Sequence, residues 1–230
     1  MNYTNRKDWP NSLEPLTRQQ IIGEVSRHVK SIEKEFEQVF TFINKYPKSV
    51  TFFGSARFSE NNKHYILSKK LARELSKKGY SILTGGGGGI MEAANRGAYE
   101  IGGASIGINI KLPEEQIPNR YLSTSMECSY FFSRKTALSF AAEAYIFFPG
   151  GYGTLDEFFE LVTLIQTKKI PPVPLILIGK DYWEPLHEFI YEHMYVAHNA
   201  IKKEDMDIYK ITDETDEVVK IIEESTNKGY

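Results

Sequence analysis

A disulfide framework is out of reach for this chain, because its 230 residues hold one cysteine, Cys128. A single thiol makes no metal-thiolate cluster either, and such sparing use suits a reducing cytoplasm. Excess positive charge is also missing: 28 Lys and Arg stand against 30 Asp and Glu, a formal net charge of −2. No global field exists to hold a nucleic-acid backbone by counterion release, so a polynucleotide partner is not expected. No run nears the ~18 apolar residues that span a bilayer, and the opening MNYTNRKDWPNSLEPL has no apolar core of signal-peptide length. The expectation is a cytoplasmic protein without membrane attachment. Ligand-spaced clusters of His, Asp and Glu are lacking as well: His187 and His193 lie six apart, off a shared helical face, so neither a metal nor another cofactor is expected.

What is present is 41% hydrophobic and 25% charged residues, enough to bury a sizeable core as one domain with decorations. The first ~15 residues are polar, carry Pro10 and Pro15, and read as an arm without fixed structure. From Thr17 to about Lys45 the apolar residues Ile22, Val25, Val29, Ile32, Phe36, Val39 and Ile43 fall alternately three and four apart, which predicts a long helix. The stripe suits a coiled-coil seam or packing on the body of the subunit or a dimer mate. Ile21 and Phe40 widen it beyond a two-position seam and favour packing. Residues 1–46 are thus expected to form an arm and an N-terminal helical extension, and 47–230 the main domain.

Beyond Pro47 short apolar runs alternate with amphipathic segments. Strands are predicted over 49–54, 80–86, 104–110, 144–151 and 174–179, with a last short one near 207. Helices are predicted over 64–79, 89–102, 129–144, 153–169 and 182–195, and in the last unit to 225, with Pro185 in a first turn where it is tolerated and 112–119 as a loop. Because the strands are continuous apolar runs, the pattern predicts a doubly wound parallel α/β sheet, a Rossmann-like three-layer sandwich.

In such a sheet ligands bind beyond the carboxyl ends of the strands, and three strands end in small-residue turns: FFGSAR, LTGGGGGIME and FFPGGYGTLDE. A glycine turn that opens a helix aims backbone N–H groups and the positive end of the helix dipole at an anion, with no side chain in the way. Neither turn is a P-loop or a G-x-G-x-x-G fingerprint, since Ile90 follows GGGGG and the third glycine position fails in both. One such turn is simply a tight connection; three at adjacent strand ends make a phosphate cradle the better reading. Asp156 and Glu157 are expected in the first turn of the helix behind PGGYGT, either as plain helix-start acids or as carboxylates that meet a sugar. Arg134 and Lys135 lie in an otherwise aromatic and apolar helix, and from composition alone suit a solvated pair or the wall of a site equally well. Cys128 reads as a small buried residue rather than a nucleophile, having no marked histidine partner.

PGGYGTLDE, with SRK upstream, TGGGGGIMEAANRGA and FFGSAR, resembles the LONELY GUY (LOG) family, also labelled lysine decarboxylase-like Rossmann proteins. The family pattern PGGxGTxxE is met by Pro149, Gly150, Gly151, Gly153, Thr154 and Glu157, and the resemblance covers roughly residues 48–225. It implies hydrolysis of the N-glycosidic bond of a nucleoside 5′-monophosphate, AMP or an N6-modified adenine ribotide foremost, to free base and ribose 5-phosphate, with no cofactor. The family's catalytic pair falls on Arg134 and Glu157. Substrate binding is then implied for Gly54 and Ser55, for Gly87, Gly88 and Gly89, for Gly150, Gly151, Gly153 and Thr154, and in second rank for Glu92 and Lys135. Where relatives commonly read GGGPGIMEA this chain has Gly88 for the proline, which implies a looser turn. The resemblance further implies a homodimer or higher homo-oligomer. A decarboxylase would need a Schiff-base lysine for a pyridoxal cofactor, and nothing marks one. The other alternative is a carrier of the molybdenum cofactor or a nucleotide sensor, which needs the cradle but no carboxylate aimed at a sugar.

Overall fold

The computed structural model describes residues 18–111 and 117–226. The expected arm at 1–15, the side chains of Ile21, Ile22 and Val25, and residues 112–116 of the expected loop lie outside what is described. The chain runs α1 (Arg18–Ile43), β1 (Ser49–Phe53), α2 (Lys63–Lys77), β2 (Ser81–Thr84), α3 (Ile90–Tyr99), β3 (Ser105–Ile110), β4 (Thr124–Cys128) and α4 (Phe131–Phe140). It continues through β5 (Ala144–Phe147), α5 (Tyr152–Gln166), β6 (Leu175–Leu177), α6 (Lys180–Phe189), β7 (Tyr209–Ile211) and α7 (Thr215–Thr226).

Successive side chains of a strand point to opposite faces, so a strand covered on both sides must be apolar throughout. In SVTFF every residue is buried. Val50 and Phe52 enter one core with Leu71 and Leu75 of α2, Ala94 of α3 and Ile222 of α7. Phe53 enters the other, with Val39 of α1, Leu138 of α4, Phe158 of α5 and Trp183 of α6. The seven strands found among the described residues make one parallel sheet in the order β4-β3-β2-β1-β5-β6-β7. The expected doubly wound fold is what the chain adopts. Strand order reverses between β1 and β5, paired from Val50 and Ala144 to Phe53 and Phe147, and the crevice beyond their carboxyl ends is where this architecture admits a ligand.

The elements differ from expectation in two places. β4 was not expected: TSMEC is an edge strand bonded only to β3, with Ser125 and Glu127 exposed, so it lacks the apolar run that marks the central strands. α6 begins two residues early, which puts Pro185 in its second turn rather than its first. The start is set from a distance, since the Asp213 carboxylate accepts from the Gly179 amide (2.6 Å) and the Lys180 amide (3.3 Å). The segment then continues as a π-helix over Ile190–Ala197. Of the stripe on α1, Val39 and Ile43 are buried against the subunit's own core, whereas Val29 is exposed.

Candidate active site

The turns after β1, β2 and β5 are stitched to one another through backbone. Ser55 donates its amide to Pro149 O (3.0 Å), and Ser55 O accepts from the Ile90 amide (3.0 Å). At Gly89, with φ +63°, a Cβ would collide with that Ser55 carbonyl, so the close approach of the two turns requires glycine. The expected looseness of GGGGG is not what the packing shows. Thr84 Oγ1 accepts from the Gly86 amide (2.9 Å) and donates to Asn95 Oδ1 (2.7 Å), while Asn119 Nδ2 donates to Gly86 O (3.2 Å), Gly87 O (3.0 Å) and Asn95 Oδ1 (2.9 Å). Buried, mutually satisfied polar groups of this kind fix one conformation. They hold the turn from its back, where the proline of relatives would stiffen it from within.

A cleft of about 1060 Å³ opens over these turns. Gly54 and Ser55 line it from the turn after β1, Arg134 and Lys135 from α4, and Gly150, Gly151, Gly153, Thr154 and Glu157 from the β5 turn and α5. Gly87, Gly88, Gly89 and Glu92 are not among its lining residues; Gly85 and Met91 line it instead. Glu92 turns to α2, where it accepts from Tyr65 Oη (2.9 Å). At the start of α5 the Thr154 amide is taken by Gly151 O (3.0 Å), which leaves the Tyr152 and Gly153 amides as first-turn donors without an intrahelical acceptor. Gly151, Tyr152 and Gly153 are all exposed, so these donors stand at the open side of the cleft.

Asp156 and Glu157 do not sit in the first turn, as expected. α5 starts at Tyr152, which moves both into the second turn. Asp156 is exposed and pairs with Lys135 Nζ at 2.8 Å. Glu157, one residue on, is only 7% exposed. Its Oε2 is buried with no hydrogen-bond partner among the described residues. Burial pushes the carboxyl up to about 8, Glu160 adding to the rise and Lys135 and Arg134 opposing it. The Arg134 guanidinium uses Nε on Ile108 O (2.9 Å), and no ion pair within 4.0 Å joins it to Glu157 among the described residues. Burial lowers its pKa, the Glu157 charge pulling the other way, and a guanidinium remains charged. A Cβ on Gly85 would overlap the Arg134 guanidinium, so the first glycine of the run makes room for it. Lys135 is committed to α5, bonded to Asp156 and 3.3 Å from Glu160.

The cleft thus sets a guanidinium and a buried carboxyl group, each with unused hydrogen-bonding capacity, beside open backbone donors at a helix N-terminus. Such a set can hold an anion at one end and meet hydroxyls or a developing positive charge at the other. Several contributors carried no mark in the sequence. Tyr182, expected in a segment of core and subunit contacts, lines the cleft and donates to Gly150 O (2.9 Å). Phe131, Phe132 and Arg57 also line it. Cys128 is fully buried at the end of β4, and burial pushes its thiol up to about 11. Among the described residues no helix is long and apolar enough to cross a membrane.

A family model described as "possible lysine decarboxylase" matches residues 91–222. The rice protein named "probable cytokinin riboside 5′-monophosphate phosphoribohydrolase LOGL5" (Oryza sativa subsp. japonica) is 29% identical over 151 residues, which cover 64% of this chain and 60% of that protein. The chain therefore matches about three-fifths of that relative's length. The "cytokinin riboside 5′-monophosphate phosphoribohydrolase" of Rhodococcoides fascians is 28% identical over 153 residues, covering 64% and 75%. Among solved structures, the molybdenum cofactor binding protein of Rippkaea orientalis superposes with a TM-score of 0.58 at 19% identity, covering 76% of this chain and 94% of that one, a likeness of fold.

Proposed function

Because the chain belongs to the LOG family, whose model is described as "possible lysine decarboxylase", we propose that it hydrolyses the N-glycosidic bond of nucleoside 5′-monophosphates, AMP or an N6-modified adenine ribotide foremost. The observation that carries this reading is Glu157 Oε2, a carboxylate oxygen buried in the cleft with no partner among the described residues. Leaving such a group unpaired costs the fold on the order of 1–3 kcal/mol, a cost that a hydrogen-bonding ligand in the cleft would recover. The 5′-phosphate lies before the Tyr152 and Gly153 amides, with the hydroxyls of Ser55 and Thr154 close by. Binding energy is thereby placed away from the bond that breaks.

In the reaction the C1′–N bond breaks with its electron pair leaving on the base, and water delivers hydroxide to C1′ and a proton to the base. Glu157, once ionised, accepts from ribose hydroxyls and favours the cationic sugar of the transition state. Arg134, unpaired with Glu157, is free to meet the substrate rather than to orient the carboxylate. The domain that does this is residues 47–230, in the cytoplasm and as a homo-oligomer. The test is to incubate the purified protein with AMP, GMP, CMP, UMP, IMP and an N6-prenylated AMP and follow free base by chromatography, beside Glu157→Gln and Arg134→Ala. Base and ribose 5-phosphate from wild type, released ~10³-fold or more slowly by either variant, support the reading. Binding of nucleotides without cleavage of any would overturn it in favour of a sensor, and a pterin absorbance in the purified protein in favour of a carrier.

A further inference from the structure

α4 carries Arg134, yet its N-cap residue, Tyr130, makes no side-chain capping bond to it. The cap comes from 95 residues earlier. Glu35, in the middle of α1 and only 8% exposed, accepts from the Ser129 amide (2.7 Å), the Tyr130 amide (3.1 Å) and the Ser133 hydroxyl. A carboxylate at the positive end of a helix, bonded to the amides of the N-cap residue and the residue before it, stabilises that end through charge-assisted hydrogen bonds and through the dipole. The next turn of α1 after Glu35 also packs on α4. Phe36 stacks on Phe132 at 6.1 Å and Phe40 tilts against Phe140 at 6.4 Å, with Val39 and Ala137 in one core.

Ser133 precedes Arg134, and Phe132 lines the cleft. The grip of α1 therefore falls on the turn from which the guanidinium projects. Among the described residues that guanidinium has one hydrogen bond, to Ile108 O, and otherwise depends on its helix for aim. We infer that Glu35 is a positioning residue: from outside the segment the family model matches, its carboxylate caps α4 and so fixes Arg134 in the cleft. In Glu35→Gln one of the accepting oxygens becomes an NH2 group that faces a backbone or hydroxyl donor, and the first turn of α4 is released.

The kinetic part of the test rests on the proposed hydrolase reading, and the exchange part does not. In the full chain, Glu35→Gln is expected to lower kcat about 10- to 100-fold on the nucleotide the wild type cleaves, with KM changed less than about threefold. Amide hydrogen exchange should quicken about tenfold or more at 131–135 and not in the central strands. In an Arg134→Ala background Glu35→Gln should lower kcat less than about twofold further, since it acts through Arg134. Val39→Ala, which loosens α1 without touching the cap, should lower Tm and leave kcat within about twofold. Wild-type kcat in Glu35→Gln, an equal loss in Val39→Ala, or additivity with Arg134→Ala would overturn the inference. If the wild type cleaves no nucleotide, the hydrolase reading fails by itself, and unchanged exchange over α4 in Glu35→Gln would still sink the cap.

Discussion

Glu35 and Glu157 are buried to almost the same degree, 8% and 7% exposed, on the two helices that flank α4. Their surroundings differ completely. Burial pushes Glu35 up, but the hydrogen bonds from Ser133, Ser129 and Tyr130 outweigh it and hold its carboxyl below the ordinary value. Glu157 meets no donor on Oε2, so burial, opposed by the charges of Lys135 and Arg134 but by no hydrogen bond on that oxygen, carries it to about 8. Burial alone does not set the state of a carboxylate; the donors supplied to it do. Glu35 is satisfied by its own chain and serves structure, whereas Glu157 is left for something the chain does not contain.

The widest separation between the two comes from replacing Glu157. Glu157→Gln should lower turnover by ~10³-fold or more while making the protein more stable, because it removes an acid that the native state holds protonated. The sign follows from linkage. With the native pKa near 8 and the ordinary value 4.5, the unfolded chain gives up its proton first as pH rises, so the cost of burying Glu157 grows from pH 4.5 to about 8 and is constant above. At pH 7 that cost is ~3 kcal/mol, of which an amide that also lacks a partner recovers only part, ~1–2 kcal/mol. Denaturant titrations of both proteins at pH 5, 7 and 8 should show the gain appear and widen. A Glu157→Gln protein less stable than wild type at pH 8 would mean that the carboxylate is satisfied after all.

Glu35 should give the opposite picture. Its folded pKa lies below 4.5, so its contribution is present above pH 4.5 and is lost as pH falls through the folded value. Glu35→Gln is therefore expected to cost ~2 kcal/mol at pH 7, by removing a charged cap and turning a donor against donors. Parallel denaturant curves at pH 7 and pH 4 should show the difference shrink. A difference that grows toward acid would make Glu35 an unsatisfied group like Glu157.

A finer division concerns the neighbours that tune Glu157. If the ionised form works, kcat/KM rises with pH to a plateau, with a limb near the carboxyl's value of about 8. Glu160 raises that value and Lys135 lowers it, so Glu160→Gln should move the limb to lower pH and Lys135→Met to higher pH, each by a few tenths to one pH unit. Rate profiles from pH 6 to 9.5 read this directly. A rate that falls above pH 8 would instead assign Glu157 the role of a proton donor.

How much of this was legible in advance depends on whether a feature is local. SVTFF and AYIFF announce central strands because two-sided burial demands apolar residues in succession, and GGGGG and PGGYGT announce turns because glycine is punctuation in any context. From these the parallel sheet and the place of the cleft follow. TSMEC stayed hidden because an edge strand needs no such run. Asp213 and Glu35 stayed hidden for another reason: each caps a helix from 34 or 94 residues away, and in the sequence they are ordinary acids of a polar stretch. Asp156 and Glu157 could be placed side by side, but adjacent helical residues point about 100° apart, and which of them faces the core depends on how α5 packs, which residue type does not fix.

The smallest effect tests the same contrast between a satisfied group and an open one, now on the phosphate end of the cleft. Tyr182 reaches across from α6 to donate to Gly150 O at 2.9 Å, and so steadies the turn whose next amides are open. Among the described residues the hydroxyl's hydrogen bond goes to the turn's backbone, so its loss should alter how often the amides are aligned rather than the chemistry at C1′. Tyr182→Phe removes one neutral hydrogen bond at a half-buried site, worth about 1 kcal/mol. That corresponds to roughly fivefold in binding. The expected result is a fivefold rise in KM for the nucleotide with kcat nearly unchanged, and the same weakening of inhibition by ribose 5-phosphate. A fall in kcat at constant KM would place Tyr182 against the reacting sugar, and would shift the phosphate toward the GGGGG turn, which Asn119 and Thr84 hold without help from α6.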